Sequence, residues 1–292
     1  MSDSIKIAVD AMGGDGSPKK IIDGIILNNK SNKNVFYKIF GDQNQISELI
    51  KNKVDSKFYE IIHTDKAIKS TDSPLEGAKR GKETSMWLAI QSVKEKKADI
   101  IISAGNTGAL LVVAKLNLKM IENIDKPALS ALWPNKKGMS VVLDLGANIE
   151  CSSKNLMDFS IMGASLYTSL YPDEKPNVAL LNIGSEELKG NETIKETYQI
   201  LNEKNSVNYN FAGYIEGNHL MDGDVNVIVS DGFTGNVALK TAEGTANFIT
   251  NELKKTMTGN IMGKISSLLN ISNLKKFKKR LDPRLYNGAI FI

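Results

Sequence analysis

The sequence predicts an α/β protein, a three-layer α/β/α arrangement around a mainly parallel sheet. Three observations lead there. Apolar runs of strand length alternate along the chain with segments of helical spacing. The runs are continuous in Val, Ile and Leu, as in strands buried on both faces of a parallel sheet. Five of them lead straight into clusters of Gly, Asn and Asp. In open α/β sheets ligands bind beyond the carboxyl ends of the strands, so these polar clusters are expected to converge on one site.

Taken in order, strands are expected at residues 5–10, 35–40, 58–63, 99–103, 140–145, 178–183 and 225–230, with short or edge strands at 128–132 and 208–212. Helical spacing marks 85–97, where Met86, Ile90 and Val93 repeat, and 155–171, where Leu156, Phe159, Met162, Leu166 and Leu170 share a face. From Thr234 one long helix is marked by Leu239, Ala242, Ala246, Ile249 and Leu253. After Gly259 a second apolar series runs through Ile261, Ile265, Leu268, Leu269, Leu274 and Phe277, interleaved with Lys264, Lys275, Lys276, Lys278, Lys279 and Arg280. This basic amphipathic extension, 256–282, has two readings. It lies on an anionic membrane or docks an acidic partner, or it packs one face on the core with the other solvated. No linker and no repeat interrupts the chain, so residues 1–292 are expected to form a single composite domain.

Bulk composition narrows the function classes. At 292 residues, 41% hydrophobic and 24% charged, the chain has the makeup of a soluble globular protein large enough to be an enzyme. A lone cysteine, Cys151, excludes an intramolecular disulfide, and with His63 and His219 as the two histidines no Cys/His metal site is expected. The first residues carry an acid ahead of a short apolar run and lack a basic n-region, so a cytoplasmic location is expected. No stretch approaches the ~20 apolar residues that span a bilayer. A net charge of +4 gives no indication of nucleic acid.

The chemistry is expected in the five clusters. The first, Asp10 to Gly16, places Gly13 and Gly14 where backbone N–H groups can face an anion near a helix start, although Asp10 and Asp15 would oppose one. The second contains Gly105, Asn106, Thr107 and Gly108 without any charge and is the best phosphate cradle. The third supplies Asp144 and Asn148, the fourth Gly184, Glu186 and Lys189, and the fifth Asp231 and Asn236, leading into a helix that bears Lys240. Each cluster taken alone is more often Asn/Asp/Gly turn chemistry with no ligand, and it is the recurrence of five at successive strand ends that points to a site. Lys79, Arg80 and Lys82 form a basic loop that is either a solvated charge run or a surface for phosphate or an acidic protein. Neither histidine is near Cys151 in sequence, which suggests an inert thiol, while His219, in a loop, is the better candidate of the two histidines.

Together AVDAMGGD, SAGNTGAL, LDLGAN, LLNIGSEELKGNE, the F-x-G-x-x-E-G pattern at 211–217 and SDGFTGNVALKTAEG resemble the bacterial phosphate acyltransferase family of phospholipid synthesis, the PlsX type, in order and over nearly the whole chain. The resemblance implies a fold similar to isocitrate/isopropylmalate dehydrogenases and phosphotransacetylases, with a protruding C-terminal helical segment, and a homodimer. It implies transfer of a fatty acyl group from acyl carrier protein to inorganic phosphate, giving acyl phosphate, with no cofactor. Phosphate is itself the nucleophile in that reaction, so catalysis can come from positioning and from donors at the developing oxyanion. Phosphate and oxyanion contacts then fall to Asn106, Thr107 and Gly108, assisted by Asn236 and Lys240. Asp10, Asp15, Asp144, Asn148, Glu186 and Asp231 would orient those donors or receive a proton.

The resemblance also assigns surfaces. Acyl carrier protein is acidic, so the loop of Lys79, Arg80 and Lys82 and the basic C-terminal helix are expected docking surfaces. Members associate peripherally with the inner face of the cell membrane, a task for Leu268 and Leu269 inserted beneath Lys275, Lys276 and Lys279. The family typically continues beyond the point where this sequence stops at Ile292, so the chain reads as shortened at its C-terminus. Two competing readings remain at this level: an NAD-dependent decarboxylating dehydrogenase of the same broad fold, which needs substrate arginines that are few here, and a non-catalytic scaffold binding acyl carrier protein at the membrane.

Overall fold

The computed structural model describes residues 4–69, 71–79, 81–204, 206–281 and 288–291. Internal contacts divide the chain into two compact units, within residues 1–121 and 122–291. Each holds its own sheet, so the strands fall into two sheets rather than one.

In the first unit four parallel strands, β1 (Ile5–Asp10), β2 (Val35–Gly41), β3 (Tyr59–His63) and β4 (Ile100–Ser103), lie in the order β3-β2-β1-β4. Successive side chains of a strand point to opposite faces, and both faces of β1 are covered. Val9 packs among Ile22 and Ile25 of α1 (Lys19–Ser31) and Ile46 of α2 (Gln43–Ile50). Its neighbour Ala8 meets Ala89 of α4 (Ser85–Lys94) on the other side. There α3 (Pro74–Lys79) and α5 (Thr107–Leu118) complete the layer through Ala78, Ala109 and Val113, which cluster with Ile90 of α4.

The second unit has a six-stranded sheet ordered β10-β5-β6-β9-β7-β8. Four neighbours run parallel: β6 (Met139–Leu143), β9 (Val227–Val229), β7 (Asn177–Asn182) and β8 (Asn210–Glu216). Beside them β5 (Ala128–Pro134) is antiparallel to both β6 and β10 (Gly288–Phe291). Val141, Leu143, Val178, Leu180 and Val227 face Leu156, Phe159 and Met162 of α6 (Ser153–Leu170) and Ile194 and Leu201 of α7 (Glu192–Glu203). One residue out of phase, Val142, Ala179, Leu181 and Ile228 form the opposite core with Ala238, Leu239 and Ala242 of α8 (Gly232–Thr258).

The basic amphipathic extension breaks into α9 (Ile261–Leu269) and α10 (Ile271–Arg280), and no residue of either is buried. Ile261, Met262, Ile265, Leu268 and Leu269 are 52–80% exposed, which contradicts a core-packed face. Among the described residues no helix is long and apolar enough to cross a membrane.

Candidate functional site

Each unit ends a central strand in a buried carboxylate. In the first unit Asp10 closes β1 and is 1% exposed. Its Oδ1 accepts from Ser85 Oγ at 2.6 Å and from Met12 N at 3.3 Å, and its Oδ2 accepts from Ser103 Oγ at 2.7 Å. Ser103 Oγ in turn accepts from Gly105 N at 3.1 Å. One carboxylate thereby ties the loop after β1, the loop after β4 and the start of α4 together. Gly13 fits because it has no side chain: a Cβ there would stand 2.5 Å from Asp10 Oδ2 and 2.9 Å from Gly105 N. Gly14 lies against the carbonyl of Ala104, so the first and second clusters form one knot.

Asn106 has a structural task within that knot. Its side chain caps α5 by accepting from Ala109 N at 3.0 Å, and its Nδ2 donates to the Asp72 carbonyl at 3.0 Å. Beyond the capped amide, the N–H groups of Thr107 and Gly108 belong to the first turn, where a helix presents donors and the positive end of its dipole. Asp15 is exposed at the loop tip, outside the knot.

In the second unit Asp144, just past β6, is fully buried. Its Oδ1 accepts from Leu129 N, Gly146 N and Ala147 N at 3.0–3.1 Å, and its Oδ2 from Asn148 N at 2.7 Å and Asn148 Nδ2 at 2.8 Å. Asn148 Nδ2 also reaches the Pro127 carbonyl at 2.6 Å. Five donors leave this carboxylate as an organiser of the loop rather than an open base. The neighbouring strand end interlocks with it. Gly232 N donates to the Asn148 carbonyl at 2.7 Å and Asn236 Nδ2 to the Leu145 carbonyl at 2.9 Å. At Gly235 a Cβ would overlap the Asp144 carbonyl. Asp231 caps α8, accepting from Thr234 N at 2.8 Å and Oγ1 at 2.9 Å. At the end of β7, Asn182 Nδ2 donates to the carbonyls of Gly184 and Lys189, both at 3.1 Å, closing that loop. The third and fifth clusters are therefore in contact, with the fourth on the strand beyond β9.

Comparison with known proteins decides the family. A family model described as fatty acid synthesis protein matches residues 5–292. A phosphate acyltransferase of Pelagibacter ubique (strain HTCC1062) is 79% identical over 292 residues, covering 100% of this chain and 87% of that protein. One from Caulobacter vibrioides is 43% identical over 290 residues, with 99% and 80% covered. The chain belongs to this phosphate acyltransferase family. Solved structures agree on the fold: EutD phosphotransacetylase from Staphylococcus aureus superposes with a TM-score of 0.59 at 16% identity, over 84% of this chain and 83% of that one. A branched-chain phosphotransacylase from Enterococcus faecalis V583 gives 0.55 at 14% identity, over 81% and 83%. Membership makes the chain an acyltransferase of fatty acid and lipid synthesis and sets aside the dehydrogenase alternative.

The lone thiol lies beside the third cluster. Burial first, then the charge of Asp144, push Cys151 up to about 11, so it stays protonated at neutral pH. The more distant site residues are engaged elsewhere. Lys240 stands about 12 Å along α8 from its start and pairs with Glu243 at 2.8 Å while 63% exposed. His219, in the turn after β8, meets Asp222 Oδ2 at 2.7 Å. Lys189 N donates to the Glu186 carbonyl at 2.9 Å. Lys79 and Lys82 are exposed, and Arg80 lies outside the described residues. Two surface hollows, one lined by Ser47, Lys53 and Tyr59 and one by Ser165, Glu174 and Asn208, include none of the strand-end loops. Among the described residues no group of three or more His, Cys, Asp or Glu side chains is placed to hold a metal ion.

Proposed function

We propose that the chain transfers a fatty acyl group from acyl carrier protein to inorganic phosphate. A phosphate oxygen attacks the thioester carbonyl, the C–O bond forms, the C–S bond breaks, and acyl phosphate leaves with the carrier thiolate, which takes up a proton. The observation that carries this is the inward turn of the strand-end carboxylates. Asp10 and Asp144 are buried and spent on protein donors, Asp10 on the hydroxyls of Ser85 and Ser103 and Asp144 on the N–H groups of the loop it begins. The stretch Gly105 to Gly108 carries no charged side chain, so its backbone N–H groups can receive an anion.

In this reading Thr107 and Gly108, with Gly105, Gly13 and Gly14, hold phosphate through backbone N–H groups, and Asn106 shapes that helix start. Asn148, Asn236, Gly184, Glu186 and Lys189 contact the acyl donor, while Lys240 and His219 assist at longer range. Cys151, held protonated, leaves attack to the substrate. The exposed apolar residues of α9 and the lysines of α10 suit an anionic membrane surface on the cytoplasmic side, and the protein works as a homodimer.

Incubation with palmitoyl-acyl carrier protein and phosphate, followed by hydroxylamine trapping, tests the reaction. Phosphate-dependent hydroxamate and a free carrier thiol are expected in equal amounts. Thioester loss without phosphate dependence, or none at all, rejects the reading and favours a scaffold. Flotation on vesicles containing anionic lipid tests the surface: Leu268→Glu with Leu269→Glu should abolish binding, and equal binding removes α9 as the anchor.

A further inference from the structure

The second unit leaves large apolar side chains uncovered on the carboxyl edge of its sheet. There β6, β9 and β7 lie side by side, so the segments that follow them start within about 10 Å of one another. The loop after β6 exposes Ile149 (75%), the loop after β7 exposes Ile183 (81%) and Leu188 (87%), and the first turns of α8 expose Phe233 (63%) and Val237 (52%). The loops are well held. Asn182 draws the carbonyls of Gly184 and Lys189 inward, and Asp144 gathers the amides of residues 146–148. Ile183, Leu188 and Ile149 flank these closures and remain in solvent. They are not spare core residues either, because both faces of the sheet are already closed by α6, α7 and α8.

We propose that these five side chains are the seat of the fatty acyl chain and set a preference for long chains. The proposal rests on the acyl-transfer reading above. Its occupant follows from continuity with the site: the apolar residues are sequence neighbours of Asn148, Gly184, Lys189 and Asn236, the groups assigned to the acyl donor. A hydrocarbon chain attached to the reacting carbonyl must leave along an apolar path or stay in water, where every exposed CH₂ is unfavourable. The charges sharing these loops do not interrupt the patch where they are engaged elsewhere; Glu187, for example, is bonded to Tyr198 Oη at 3.1 Å.

The test compares kcat/KM for palmitoyl- and butyryl-acyl carrier protein in wild type and in the double variant Ile183→Ala, Leu188→Ala. Removing two apolar contacts that the long chain reaches should lower the palmitoyl-to-butyryl ratio about tenfold or more. Ile183→Ala with Leu188→Met should recover most of it, since methionine conserves volume. Equal losses for both donors would make the residues merely structural and overturn the seat. An unchanged ratio overturns it as well, and a shift in oligomeric state by light scattering alongside it would make the rim an interface between copies. Wild type that forms acyl phosphate from neither donor removes the acyl-transfer reading itself, and the seat with it.

Discussion

Asp10 and Asp144 solve one problem in two ways. Both are carboxylates at the carboxyl end of a central strand, and both are buried. Asp10 is satisfied mainly by two serine hydroxyls that come from α4 and β4, 75 and 93 residues away in sequence. Asp144 is satisfied by five N–H donors, four of them from the loop it begins. Hydroxyls rotate and can find other acceptors; backbone amides fixed by a loop cannot. The first carboxylate is therefore a pin between distant segments and the second a mould for its own loop.

Alanine at each position sharpens that contrast and should give the largest effects. Asp144→Ala strands several buried donors at once and is expected to cost about 3–5 kcal/mol. Asp10→Ala, with rotatable partners, should cost about 2 kcal/mol, while loosening the Gly13 to Gly105 contact and reducing turnover. Urea denaturation of both variants measures this. An Asp10 variant at least as destabilised as the Asp144 variant would break the comparison.

A second expected effect concerns Asn106. Asp caps helices as well as Asn does, so Asn106→Asp should leave the thermal midpoint near that of wild type. A negative charge at the start of α5 would, however, oppose phosphate at the Thr107 and Gly108 amides. The KM for phosphate should rise roughly tenfold with kcat changed less. An unaltered phosphate KM would confine Asn106 to capping and move the anion away from this helix.

Individual strands were legible because continuous Val/Ile/Leu runs report burial on both faces, and β1 falls on the residues expected from them. Their division between two sheets was not, since such a run says that a strand is covered but not which strand lies beside it. Strand 225–230 shrinks to Val227–Val229 because only those residues pair with both β6 and β7. Among candidate site residues, Asn106 and Asp231 stand immediately before helices and cap them, a role their type and position signal as strongly as ligand contact does. The bond of Ser85 to Asp10 left no local trace, because no periodicity links residues 75 positions apart. The uncovered α9 was legible as amphipathic, but its exposure depended on how the chain packs around it.

The smallest expected effect tests the thiol of the second unit against the mould beside it. Cys151 is pushed to about 11 from an ordinary value of 9.0, first by burial and then by the charge of Asp144. The thiolate is the reactive form, so at pH 9 ionisation alone should make native labelling by iodoacetamide about fifty-fold slower than labelling in denaturant. The sign is that of a raised acid: reactivity is low at neutral pH and climbs only as pH approaches the folded-state value. Asp144→Asn removes the second cause and leaves burial, so it should speed native labelling only modestly, and Cys151→Ser should retain acyl phosphate formation. Rapid native labelling at pH 7, or loss of turnover in the serine variant, would show that this thiol is activated and return a protein nucleophile to the reaction.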